Sequence, residues 1–120
     1  MVGIGSKLWA RVLSVVVEQP VRVAFFGSLL LSLIAVLGAA TVGRDAAFYL
    51  TIAQDAHVHG PKAAFALFNW PWFSLLLAGT HSVTALPIEL SAHLWCSLFA
   101  AGTCALLVDC VRQRSVQVAP

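Results

Sequence analysis

The residues whose types and spacing best suit chemistry cluster in Gly43-Arg44-Asp45-Ala46-Ala47-Phe48-Tyr49. Asp45 is the sharpest of them. A carboxylate at a membrane–water boundary can act as general base toward an acceptor hydroxyl or amine. The same aspartate suits the N-cap of a helix beginning at Ala46, where its oxygen would accept a free backbone N–H. Both roles stand open, and they are compatible. Tyr49 follows Asp45 by four residues, so the two share a helix face. Arg44 and Lys62 flank this stretch and could bind a lipid phosphate through charge-assisted hydrogen bonds, or simply meet headgroups. The expected set is therefore Asp45 as catalytic residue, with Arg44, Tyr49 and Lys62 as substrate-binding residues.

Other chemistries find less support. His57 and His59 stand two apart, and His81 and His93 are isolated in sequence. No His-x-x-x-His pair marks a zinc site, so no metal and no cofactor are expected. The chain has no phosphate-cradling glycine loop, no Gly-x-Ser-x-Gly and no Cys/His catalytic signature. Cys96, Cys104 and Cys110 make an odd count without a C-x-x-C pair, all in one apolar segment. They read as small buried hydrophobes rather than a disulfide framework. The net charge of +2 forms no basic patch, and nucleic-acid binding is not expected.

The elements that must position Asp45 follow from composition. Of 120 residues, 60% are hydrophobic and only 10% charged, with a mean hydropathy of +0.90. A soluble domain carries about 25% charged residues. The lipid bilayer is therefore the expected solvent, and the fold class an all-α integral membrane protein with two transmembrane helices and interfacial juxtamembrane helices between them. Residues 1–20 form a cytoplasmic amphipathic segment, with Lys7 and Arg11 among Leu8, Trp9, Val12, Leu13, Val16 and Val17, stopped by Pro20. The first span covers residues 21–43. Gly38-Ala39-Ala40 also resembles a signal-peptide cleavage site, but the segment before the apolar run is long for one. Gly27-Ser28 and Ala35-x-x-x-Ala39 offer small faces for helix packing.

Residues 44–86 make an outer juxtamembrane loop. It opens with a helix from Asp45 to Val58, in which Phe48, Ile52 and Ala56 share one side, and Gly60-Pro61 stops it. A second interfacial helix runs from Pro71, in its first turn, to about His81, followed by a polar tail at Thr80, His81, Ser82 and Thr84. Trp70 and Trp72 resemble an interfacial belt. The second span covers residues 87–114, with Glu89 in its first turn, Arg112 and Arg114 in its last, and an uncharged run of 19 residues from Leu90 to Val108. Residues 115–120 are expected to fray. With two spans, five Lys/Arg lie at the side holding both ends and two, Arg44 and Lys62, at the other. The positive-inside rule then makes both termini cytoplasmic.

This order of parts resembles the N-terminal part of polytopic GT-C glycosyltransferases, such as dolichyl-phosphate-mannose–protein mannosyltransferases and aminoarabinose transferases. Their first outer loop carries Asp-Glu-Ala-x-Tyr and later Lys-Pro-Pro-Leu-Tyr. Here Asp45-Ala46-Ala47-Phe48-Tyr49 keeps the Asp, the Ala and the Tyr. Asn69-Trp70-Pro71-Trp72-Phe73 keeps one Pro and an aromatic at the Tyr place. The motif's Glu is Ala46, its Lys is Asn69 and its first Pro is Trp70. The resemblance implies that Asp45 is the base, with Tyr49 and Pro71 in support, and that the donor is a polyprenyl-phosphate sugar at a bacterial inner membrane. Family members have many more spans. The chain is accordingly expected to be an N-terminal fragment, inactive alone, whose partners include further transmembrane helices. The alternative is a small non-enzymatic membrane protein acting as a subunit or packing partner.

Overall fold

The computed structural model describes residues 3–38 and 43–118, and these are helical with short connections. In chain order the helices are α1 (Gly3–Glu18), α2 (Pro20–Gly38), α3 (Arg44–His59), α4 (Pro61–Leu67), α5 (Trp72–Thr84) and α6 (Ile88–Val118). The chain divides into two compact units, Met1–Ile34 with Ser97–Pro120, and Ala35–Cys96.

In the first unit, Pro20 does more than stop α1. It opens α2, as proline suits a first helical position whose N–H has no helical partner. Helical bonding runs up to and past it, from Gln19 N–H to Val15 O (2.9 Å) and from Val23 N–H to Gln19 O (3.1 Å). Trp9, Val12, Leu13, Val16 and Val17 are exposed on α1. The side chains of Lys7 and Arg11, the basic residues of the expected amphipathic segment, and of Leu8 on its apolar side lie outside the described residues.

Two helices, Pro20–Gly38 and Ile88–Ser115 within α6, are long and apolar enough to cross a membrane. The 19 residues of α2 extend about 28 Å at 1.5 Å per residue, close to the ~30 Å hydrocarbon thickness. None of α2 is buried. Its described end is Gly38, and Gly43, expected to close the span, is instead the N-cap of α3. Residues 39–42, which complete the Ala35-x-x-x-Ala39 face and the small-residue cleavage pattern, lie outside the described residues. At the other end of the sequence, α6 continues to Val118. The expected fray from residue 115 is therefore corrected, and Arg112 and Arg114 precede the last turn rather than occupying it. Glu18, Gln19, Arg22 and Arg112 line one groove of the first unit, so the start of α2 and the charged part of α6 lie at the same end.

The second unit holds most of the buried side chains among the described residues. Ile52, Ala53 and Ala56 of α3 are buried, as are Ala64 of α4 and Ser74, Leu77 and Ala78 of α5. The expected α3 face of Phe48, Ile52 and Ala56 does meet neighbours. Phe48 stays half exposed but stacks edge-on against Phe68 at 5.8 Å. Alanines at the contacts let backbones approach, and one buried hydroxyl fixes the pair: Ser74 Oγ donates to Tyr49 O across α5 and α3 (2.9 Å). A hydrogen bond made away from water is worth about 1 kcal/mol net, and more is lost if only one partner is removed.

Gly60 ends α3 with φ +87°, a left-handed conformation that glycine adopts without a Cβ clash. Its N–H closes the helix on Ala56 O (3.0 Å). The expected stop holds, but Pro61 at once opens α4, which has no counterpart in the sequence reading. Pro71 is the buried N-cap of α5 rather than its first turn. α5 runs on to Thr84, past the expected end near His81, because its polar tail bonds inward. Thr80, Ser82 and Thr84 donate to Leu76 O, Ala78 O and Thr80 O, each four residues back. Ala85 then takes a left-handed φ of 57°, its N–H capping on His81 O (2.8 Å). Trp95 Nε1 of α6 donates to Thr80 Oγ1 (3.0 Å), tying the first turns of α6 to α5. With 13 residues, α5 reaches about 20 Å, too short to span the hydrocarbon.

Candidate functional site

Three of the four expected site residues come together. Arg44, Asp45 and Tyr49 line one groove of about 360 Å³, walled by Phe48 and Phe68. The first turn of α3 supplies the charged pair. Tyr49 is held one turn on, its ring edge-on to Phe68 (5.9 Å) and Phe73 (6.1 Å). Lys62 does not join them; it sits exposed on α4, outside this groove.

Asp45 is not the N-cap. The helix begins one residue earlier than expected, Gly43 occupies the cap position, and no side chain bonds there. Glycine is tolerated at that position, and its extended backbone (φ −61°, ψ 154°) frees Asp45 to enter the first turn. There its carboxylate faces the positive end of the helix dipole. Asp45 is exposed, and among the described residues its oxygens take part in no hydrogen bond. An exposed carboxylate with free lone pairs, beside a guanidinium and a phenol, can accept a proton from a bound hydroxyl and hold an anionic group next to it.

Tyr49 also lines a second groove of about 390 Å³, whose walls include Ala46, Leu50, Phe73 and Leu77. Its polar members come from α6: Glu89, His93 and Cys96. The sequence reading passed over them. Their spacing, i, i+4 and i+7, places all three on one helix face and was the available signal. All three cysteines are free, and they are exposed where the sequence reading expected small buried hydrophobes.

A further departure concerns the histidines. His81 is distant from His57 in sequence, yet the fold sets their rings edge to face at 4.6 Å. Ser82 Oγ gives its proton to Ala78 O, so it accepts from His57 Nδ1 at 3.2 Å. His81 Nδ1 donates to Leu86 O at 2.6 Å. Both rings are thereby fixed with the proton on Nδ1. His59 pairs separately with Asp55 at 2.8 Å. Among the described residues no three His, Cys, Asp or Glu side chains gather in a way that could hold a metal ion.

Comparison with protein-family models, curated proteins and solved structures finds no match to this chain.

Proposed function

We propose that the chain is an integral membrane protein in which α2 and α6 cross the bilayer, α3–α5 lie along the outer interface and both termini are cytoplasmic. In this reading it supplies the general-base site of a glycosyltransferase that uses a polyprenyl-phosphate sugar, working with further transmembrane helices in a bacterial inner membrane. The observation that carries it is the convergence of Arg44, Asp45 and Tyr49 in one groove directly after the first apolar helix. Asp45 takes the proton from the acceptor hydroxyl or amine as the new glycosidic bond forms. The bond from the sugar to phosphate breaks, and Arg44 meets the departing lipid phosphate. The test is sugar transfer from a radiolabelled polyprenyl-phosphate donor in membranes that contain the chain. Asp45→Asn, equal in size, is expected to lower transfer by about 10²-fold or more at unchanged protein level. Undiminished transfer ends the general-base assignment.

One observation favours a second reading as a packing subunit. A side-chain carbon added at Gly27 or Gly102 would meet nothing within 4 Å, so these small positions are open to another helix. Crosslinking at Gly27→Cys to a second membrane protein, with transfer indifferent to Asp45, would select this reading.

A further inference from the structure

Independently of the Asp45 site, we propose that Cys96 is a site of S-acylation. It takes a long-chain acyl group from a thioester-activated donor, and the chain lies in the apolar groove formed by α3, α5 and the first turns of α6. All three cysteines are exposed, but their surroundings differ. Cys96 opens on a groove of about 390 Å³ that also holds His93 and Glu89. That volume lies within the range of small-molecule sites, roughly 300–1,000 Å³, and sites of this kind are apolar with few polar groups. Cys104 has only Ala100, Ala101, Leu107 and Val108 one turn away on its helix.

His93 precedes Cys96 by three residues and follows Glu89 by four, so the imidazole sits between thiol and carboxylate on one face. Among the described residues neither ring nitrogen of His93 is engaged in a hydrogen bond, which leaves one free to take a proton. In the step itself, Cys96 Sγ forms a bond to the acyl carbonyl carbon and the donor's carbon–sulfur bond breaks. The thiol proton passes to His93 and then to the departing thiolate. Nothing is oxidised or reduced. The thiolate is the attacking species, and a neighbouring base is the usual means of generating it at neutral pH. Leu50, Phe73 and Leu77 line the groove that receives the methylenes, and Cys96 lies about two turns into α6 from its start at Ile88.

The internal competitor is Cys110, which has Arg114 one turn further on. A cationic neighbour also favours thiolate, but Cys110 does not line the groove that holds Cys96, His93 and Glu89. The experiment uses the full chain in detergent micelles with an alkyne-bearing palmitoyl thioester, read by mass and by release with hydroxylamine. One acyl group per chain is expected, abolished by Cys96→Ser and kept by Cys104→Ser and Cys110→Ser. His93→Gln is expected to slow labelling about tenfold or more at pH 7. Added imidazole is expected to restore much of that rate by replacing the missing base, an effect that damaged packing would not produce. Ala46→Phe, at an exposed position on the groove wall, is expected to slow palmitoyl transfer and leave acetyl transfer from a short thioester unchanged. Equal labelling of the three cysteines, preference for Cys110, or equal loss of acetyl and palmitoyl transfer in Ala46→Phe would overturn the assignment.

Discussion

α2 and α5 are built from similar material, runs of leucine with scattered alanine, serine, glycine and phenylalanine, yet they meet opposite fates. α2 buries none of its residues, whereas α5 buries Ser74, Leu77 and Ala78. Hydropathy does not separate them. What separates them is whether small residues coincide with a partner's. Ser74 and Ala78 are four apart and face α3 at Ile52, Ala53 and Ala56, so the backbones draw close and one hydroxyl reaches a carbonyl. α2 presents Phe26, Leu30, Leu31, Ile34 and Leu37 outward instead, on a helix long and apolar enough to cross a membrane.

The comparison can be broken first at Leu77. Leu77→Ala, at a side chain with no exposed surface, is expected to cost about 2–5 kcal/mol. Leu31→Ala on α2 should stay within about 0.5 kcal/mol, as exposed substitutions do. Denaturant unfolding in a mild detergent reads both, and equal losses would erase the distinction between the helices. The reverse perturbation sharpens it. Leu31→Arg, near the middle of α2, is expected to disfavour membrane insertion by about 2.5–3.5 kcal/mol, measured as the inserted fraction in microsomes. Normal insertion of that variant would remove α2 from the spanning helices.

A smaller effect is expected at Ser74. Ser74→Ala removes the second donor to Tyr49 O, which keeps its helical bond within α3, and should lower stability by about 1 kcal/mol, with Ser74→Cys intermediate. The smallest change is a gain. Ala85→Gly relieves a left-handed residue and should add roughly 0.5–1 kcal/mol. A loss there would mean that α5 ends differently from the geometry described here.

The sequence foretold the larger elements because their signals are strong: a long uncharged run for α2, a second for α6, and Gly60 for the end of α3. It misplaced boundaries where two local signals compete. Pro61 reads as a stop beside Gly60 but is equally a start, and α4 follows from the second role. Thr80 to Thr84 looked like a polar tail because letters do not reveal where hydroxyl protons go. Within the candidate site, the shared face of Asp45 and Tyr49 was read from helical spacing, and Arg44 from its charge beside Asp45. Lys62 was grouped with them on charge alone, and α4 carries it elsewhere. The His57–His81 pair depends on how α3 and α5 pack, a relation no local pattern encodes.

The inward-turned hydroxyls of α5 bear on how deep the helix can lie. Thr80, Ser82 and Thr84 each place a proton on a carbonyl of their own helix, so their donors need no water. Moving this end of α5 from the headgroups toward the acyl chains would strand none of those three donors. In the proposed interfacial placement, depth is then governed by the indoles of Trp70 and Trp72 at the opposite end, both exposed, since tryptophan favours a membrane interface. The start of α5 offers two exposed indoles, while its finish is held to its neighbours by Trp95 at Thr80 and by His57 at Ser82.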